Sequence, residues 1–249
     1  MKKLICKMTL ISTILSGTVI SQVQMEWYKS YNGVNSSIDI GVDVTVHNNY
    51  TIYVLGYLQT STDPRTKDII TQRYDALGSL LWTHRYNGTG NDLDEPVRIL
   101  CDNSGNVYVA GNTVSSGQRM EILLNKFRPN GTIEWTRKYP GNGGSTSGVT
   151  SMKIDADGNI LLTGICSGKI IIIKYSPSGS ILWYSLFNDF PGNGNDVEYD
   201  NNGNIFVAGF CNRGTQGYDC ILLKYSNAGS QIWVRYYGGQ SRCICDRNC

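Results

Sequence analysis

Charge is the first thing this chain has little of. Asp, Glu, Lys and Arg make up 17% of its 249 residues, against about a quarter in an average soluble protein. That excludes a charge-rich coiled coil and a disordered polyelectrolyte. Proline is scarce, at six residues, and no Gly-X-Y period runs through the chain, so it is not collagen-like. No apolar run reaches the ~20 residues a membrane-spanning helix needs, so the chain is not an integral membrane protein of that kind. The formal charge of +2 offers no electrostatic case for nucleic acid. No two cysteines are neighbours, and no G-x-x-x-x-G-K-[ST], G-x-S-x-G or H-E-x-x-H pattern occurs. What remains is a chain of 27.6 kDa, enough for a full core.

The amino terminus reads as an address. Lys2, Lys3 and Lys7 precede an uncharged stretch from Met8 to Ile20, too short for a bilayer and of the length of a secretory apolar segment. Modest residues at Val19 and Ser21 predict cleavage after Ser21. Residues 1–21 are then a signal peptide and the chain is secreted, periplasmic or held at the cell surface. Its loss removes three lysines and no acid, taking the formal charge from +2 to −1.

Glycine is plentiful, at 28 residues, and it recurs in register with aromatics. Trp27, Trp82, Trp135, Trp183 and Trp233 are spaced by 55, 53, 48 and 50 residues. Gly78, Gly131, Gly179 and Gly229 stand four residues before a tryptophan, and Tyr74, Phe127, Tyr175 and Tyr225 stand eight before. A further series, Gly56, Gly111, Gly164 and Gly209, follows the preceding tryptophan by 29, 29, 29 and 26 residues. Three coincident series define a repeat protein. The units run about 32–82, 83–135, 136–183 and 184–233, with an extra outer strand at 26–31. The array spans 22–239, and 240–249 is a divergent Cys-rich tail.

Each unit predicts four short strands joined by tight turns. Turns such as Asn103-Ser104-Gly105-Asn106 and Asn201-Asn202-Gly203-Asn204 carry a glycine for the positive φ a hairpin requires. The third strands decide the architecture. Ile170–Ile173 and Ile221–Leu223 are apolar without alternation, so both faces of their sheets should be covered. Four-stranded antiparallel sheets standing between like neighbours are the blades of a β-propeller, an all-β fold.

The Gly-Asn turn, the run Val107-Tyr108-Val109-Ala110-Gly111, the Leu223-Lys224-Tyr225 strand and the Gly-x-x-x-Trp-x-x-x-Tyr element resemble the SBBP (β-propeller) repeats of secreted bacterial proteins. The resemblance covers about residues 27–239 and implies the fold. It brings no catalytic residues and no cofactor. The Gly-x-x-x-Trp element is also similar to the tryptophan-docking repeats of quinoprotein dehydrogenases, but the adjacent cysteines those enzymes use are missing.

Both ends of the array finish on the same strand type, since Glu26–Tyr31 and Ser230–Tyr237 each match a fourth strand. The expected form is an open or truncated arc of four blades, with a reading frame cut or shifted near Gln240 and self-association through open blade faces. A closed four-bladed ring is the alternative.

Candidate chemistry is sparse. Cys211 and Cys220 flank a hairpin loop and are candidates for a disulfide, or for two semi-buried thiols. Asp155-Ala156-Asp157-Gly158-Asn159 is faintly similar to a calcium loop but lacks its third side-chain oxygen and distal glutamate, so it reads as a turn. Gly141–Gly144 and Gly192–Asn195 read as connections between blades. Asp92–Glu95 and Asp196-x-Glu198 also fall where fourth strands should cross to first strands, the usual ligand face of a propeller. The reading this favours is an exported, non-catalytic binding or scaffold module whose loops contact glycan or protein, not an enzyme. Metal and cofactor are not expected. The alternatives are a spacer without activity, or a glycosidase-like hydrolase using Asp94, Glu95 or Asp196.

Overall fold

A computed structural model describes residues 27–30 and 38–238, apart from 49, 62, 64–65, 90–92, 115–118, 142–145 and 215–216. The expected signal peptide and the Cys-rich tail lie outside these residues. Sixteen strands form four sheets, each a meander in chain order. Blade 1 holds β1 (Asp39–His47), β2 (Thr51–Gln59), β3 (Lys67–Asp75) and β4 (Leu80–Tyr86). Blade 2 holds β5 (Asp94–Cys101), β6 (Val107–Val114), β7 (Met120–Phe127) and β8 (Ile133–Tyr139). Blade 3 holds β9 (Ser147–Ile154), β10 (Ile160–Cys166), β11 (Lys169–Tyr175) and β12 (Ile181–Leu186). Blade 4 holds β13 (Gly192–Tyr199), β14 (Ile205–Asn212), β15 (Tyr218–Tyr225) and β16 (Gln231–Tyr237).

The first strands meet at the centre: β1 lies against β5, β5 against β9, and β9 against β13, while β13 makes no comparable contact with β1. The blades therefore succeed one another as an open arc. Each inner blade has a leading face toward its predecessor and a trailing face toward its successor. Tyr108, Ala110, Ile122 and Leu124 of blade 2 pack against Val149, Met152, Leu162 and Ile173 of blade 3. The other face of blade 3, with Leu161, Ile170 and Ile172, packs against Val197, Ile205 and Val207 of blade 4. Ile170–Ile173 are accordingly all 0% exposed. Burying each such side chain stabilises by about 1.5–3 kcal/mol.

The end blades depart from the expectation of two covered faces. Leu222 is 39% exposed between buried Ile221 and Leu223, because among the described residues no blade packs on its trailing face. In β1, Ile40, Val42, Val44 and Val46 are all exposed. The extra outer strand expected at 26–31 is not seen as a strand: residues 27–30 join none of the four sheets.

The glycine series have distinct physical reasons. Each inner pair carries a bulge at the same place, and the strand beside it carries the glycine. A Cβ on Gly56, Gly111, Gly164 or Gly209 would lie 2.5, 2.7, 2.0 or 2.1 Å from a carbonyl oxygen of the inner strand. Crowding at the narrow centre also explains a misreading. Gly192–Asn195 is the start of β13 rather than a connection, and a Cβ on Gly194 would stand 2.1 Å from Thr163 Oγ1 of blade 3.

Gly78, Gly131, Gly179 and Gly229 have φ between +76° and +87°. Each also lies under a tryptophan, and not the one four residues on. A Cβ would be 2.7, 2.9, 2.9 and 2.6 Å from the rings of Trp27, Trp82, Trp135 and Trp183, each the repeat tryptophan preceding that turn's own blade. Their Nε1 groups donate to the carbonyls of Ala76, Pro129, Pro177 and Asn227, at 3.0, 3.1, 3.3 and 3.0 Å. The tryptophan repeat is thus a latch between blades. A cation partners it: Arg73 donates to Pro129 O, Lys126 to Pro177 O, and Lys174 to the Asn227 side chain.

Candidate functional site on the connection rim

Of the carboxylates singled out from sequence, Asp92 lies outside the described residues and the others do not lie in connections. Asp94 and Glu95 begin β5, and Asp196 and Glu198 lie within β13. The sequence had suggested loops because Gly and Asn cluster before both segments; β13 begins inside its cluster at Gly192, and β5 begins at Asp94 just after its own.

Asp94 is 1% exposed. Its carboxylate accepts hydrogen bonds from the Gly88 amide at 2.6 Å and the Thr113 hydroxyl at 2.5 Å. Burial pushes its pKa up, the two donors oppose this, and the charge of Asp68 adds to the rise. Among the described carboxyls with a resolved shift it is the one moved upward; Asp155 and Asp200 are moved down. Asp68, at the start of β3 in blade 1, is 2% exposed and paired with Arg85. Glu95 alternates to the other side of β5, where its half-exposed side chain lies 3.8 Å from Lys67 Nζ.

The rim between blades 1 and 2 therefore gathers Asp68, Asp94 and Glu95 with Lys67 and Arg85. Asp68 was missed from sequence; its one signal is a Lys67-Asp68 pair ahead of Ile69 and Ile70 in the third strand. Asp196 is not part of this group. It accepts from the Ser151 hydroxyl at 2.5 Å across the boundary of blades 3 and 4, and Glu198 pairs with Lys153 at 2.7 Å beside it.

The remaining candidates resolve as structure. Cys211 and Cys220 are not joined to each other. Cys211 lies opposite Asp219 and Cys220 opposite Phe210, so the two cysteines project from opposite faces of the sheet. Cys211 is a buried free thiol that burial pushes up to about 11, and Cys220 forms its disulfide elsewhere. The Asp155 loop is a turn: its carboxylate accepts from the amides of Asp157 and Asn159 and from the Asn159 side chain. Asp102 and Asp200 repeat that pattern in blades 2 and 4. Among the described residues no helix is long and apolar enough to cross a membrane.

Residues 81–117 match the family described as beta-propeller repeat, SBBP. No curated protein matches the sequence. Solved structures of similar shape include an α-L-arabinofuranosidase from Clostridium thermocellum, 12% identical, with 80% of this chain and 71% of that one covered at a TM-score of 0.43. A thermostable family-43 glycoside hydrolase is 14% identical, with 84% and 76% covered at 0.41. Drosophila Plexin A, solved with Semaphorin 1b, is 10% identical, with 79% and 41% covered at 0.43. The expectation of a non-catalytic module, and of no enzyme, is corrected here. The solved structures of similar shape include glycoside hydrolases, and the likeness is one of shape alone.

Proposed function

We propose that this chain, a carrier of the SBBP beta-propeller repeat, is an exported glycosidase-like hydrolase whose acid–base chemistry falls to the carboxyls on the rim of blades 1 and 2. Cleavage of a glycosidic bond asks one carboxyl to hold a proton for the leaving oxygen while a second stays ionised. Environments that push neighbouring carboxyls apart in pKa are how such roles are divided. The observation that carries the reading is the gathering of Asp68, Asp94 and Glu95 on one rim, with Asp94 enclosed by burial and its neighbours matched with Arg85 and Lys67. Asp94 is the acid, and Asp68 and Glu95 are the accompanying carboxylates. The substrate class is a glycan, reached outside the cell after cleavage at Ser21, which intact-mass measurement of the secreted chain would detect.

The test is hydrolysis of a panel of chromogenic aryl glycosides, xylosides and arabinofuranosides among them, by the purified chain. Asp94→Asn should lower kcat about 100-fold or more, the scale of general acid catalysis, with an unchanged far-ultraviolet circular dichroism spectrum. Glu95→Gln should lower it as well. Absence of turnover across the panel, or full rate in Asp94→Asn, overturns the reading.

A further inference from the structure

Four of the five tryptophans are latched onto a turn of the next blade, and the fifth has no turn beneath it among the described residues. Trp233 occupies in blade 4 the position of Trp82, Trp135 and Trp183, as the register of β15 with β16 shows. Its described ring contacts are with its own blade, Phe206 and Arg235. Lys224, the equivalent of Arg73, Lys126 and Lys174, lies over Phe206 as Arg73 and Lys126 lie over Tyr53 and Tyr108, and among the described residues no following turn offers it a carbonyl. Around this latch the trailing face exposes apolar side chains, and Cys220 in the same row is disulfide-bonded. Leu222 is 39% exposed where its equivalent Leu124 is 1%, and Tyr237 is 73% exposed where Tyr139 is 7%.

The opposite end of the arc presents the matching half. Val44 of blade 1 is 58% exposed where its equivalent Met152, packed against blade 2, is 0%. Trp27 fills the latch of blade 1, over Gly78 and donating to Ala76 O. Yet it arrives on residues 27–30, which belong to no sheet, and beside it remains a cavity of about 350 Å³ lined by Ile40, Val54, Ile70 and Tyr74. Among the described residues, the short segment 27–30 stands where the other blades receive a whole face.

We propose that the trailing face of blade 4 docks on the leading face of blade 1 in a second copy of this chain, head to tail, with Trp233 displacing Trp27 from the turn at Gly78. The contact repeats the one that already joins blades 1 to 2, 2 to 3 and 3 to 4: an aromatic ring over a positive-φ glycine, an indole N–H on a turn carbonyl, and apolar strands between. Occupation of that turn by Trp27 holds the association in check. The variants that test this contact alter none of the rim carboxyls, so its fate is read separately from the proposed hydrolysis.

Sedimentation velocity of the full chain over a range of concentrations tests this. Wild type should associate with rising concentration, and Trp27→Ala should associate at least tenfold more tightly. Leu222→Asp and Val44→Asp, both at exposed sites and each spoiling one end, should weaken self-association at least tenfold. An equimolar mixture of those two variants should recover a dimer, since each retains the half the other lacks. Wild type and Trp27→Ala that stay monomeric throughout overturn the proposal. So does a mixture that fails to pair, which is the result a face-to-face contact of like ends would give.

Discussion

At the scale of single residues, two kinds of glycine do different work. Gly164 has an ordinary backbone conformation, but a Cβ there would sit 2.0 Å from Gly148 O, a backbone atom that cannot swing aside. Gly168 has φ +75° with nothing within 4 Å of its Cβ site. Gly164→Ala should therefore cost about 2–3 kcal/mol through forced displacement of the inner strand, near the upper end of overpacking costs. Gly168→Ala should cost only about 1 kcal/mol, the left-handed penalty alone. Urea unfolding midpoints of the two variants measure the difference, and equal losses would remove the close-approach explanation. Asparagine can take the same role in a turn. Asn48 adopts φ +50° in blade 1, where the other units place a glycine turn, which is why that unit looked irregular in sequence.

At the scale of elements, the turns are fastened to the strands of their own blade and of the next. Lys174 on β11 is 3% exposed, pairs with Asp155 Oδ2 at 2.7 Å, and reaches the Asn227 side chain in blade 4. Burial works against the Asp155 charge, but the Lys174 ammonium and the Asn159 donors outweigh it and hold the carboxyl below its ordinary value of 3.8. A depressed folded pKa means a stabilising contribution that is complete above the unfolded value and lost as pH falls through the folded one. Lys174→Met should cost about 3–5 kcal/mol near neutral pH, because it strands a buried carboxylate. It should also flatten the acid limb of the stability–pH curve below about pH 4. Chemical denaturation of both proteins at several pH values checks this, and a parallel offset at every pH would argue against the pairing.

The elements were also what the sequence displayed best. Strand number, turn position and unit length follow from glycines and aromatics in register, since only a repeated backbone shape keeps three series coincident. What that register concealed is which tryptophan meets which glycine. The spacing of four residues within a unit is conspicuous, whereas the physical contact runs from Trp135 to Gly179, across a blade boundary. Inner strands were read too short for a related reason. Gly192 and Gly194 carry the composition of a loop, although they are small because the centre of the arc is crowded. The rim carboxyl Asp68 gave almost no signal, as nothing local distinguishes it from any solvated aspartate.

At the scale of the whole molecule, burial is unevenly shared along the arc, and this should be visible in exchange and scattering. Blade 3 has neighbours on both faces, and β10 and β11 hold fully buried Leu161, Leu162 and Ile170–Ile173. Blade 1 has one packed face, with Ile40, Val42, Val44 and Val46 open to solvent. Local opening follows the number of buried apolar contacts an element must break. Amides of β10 and β11 should therefore exchange at the rate of global unfolding, and those of β1 and β16 faster. The measurement belongs on Leu222→Asp at high dilution, where no second copy shields the ends. In the same sample, small-angle scattering should match a curved row of four blades without a central void enclosed on all sides. Uniform protection of all four inner strands, together with a profile that demands a ring, would mean that β13 meets β1. The open ends and the idle Trp233 latch would then lose their physical basis together.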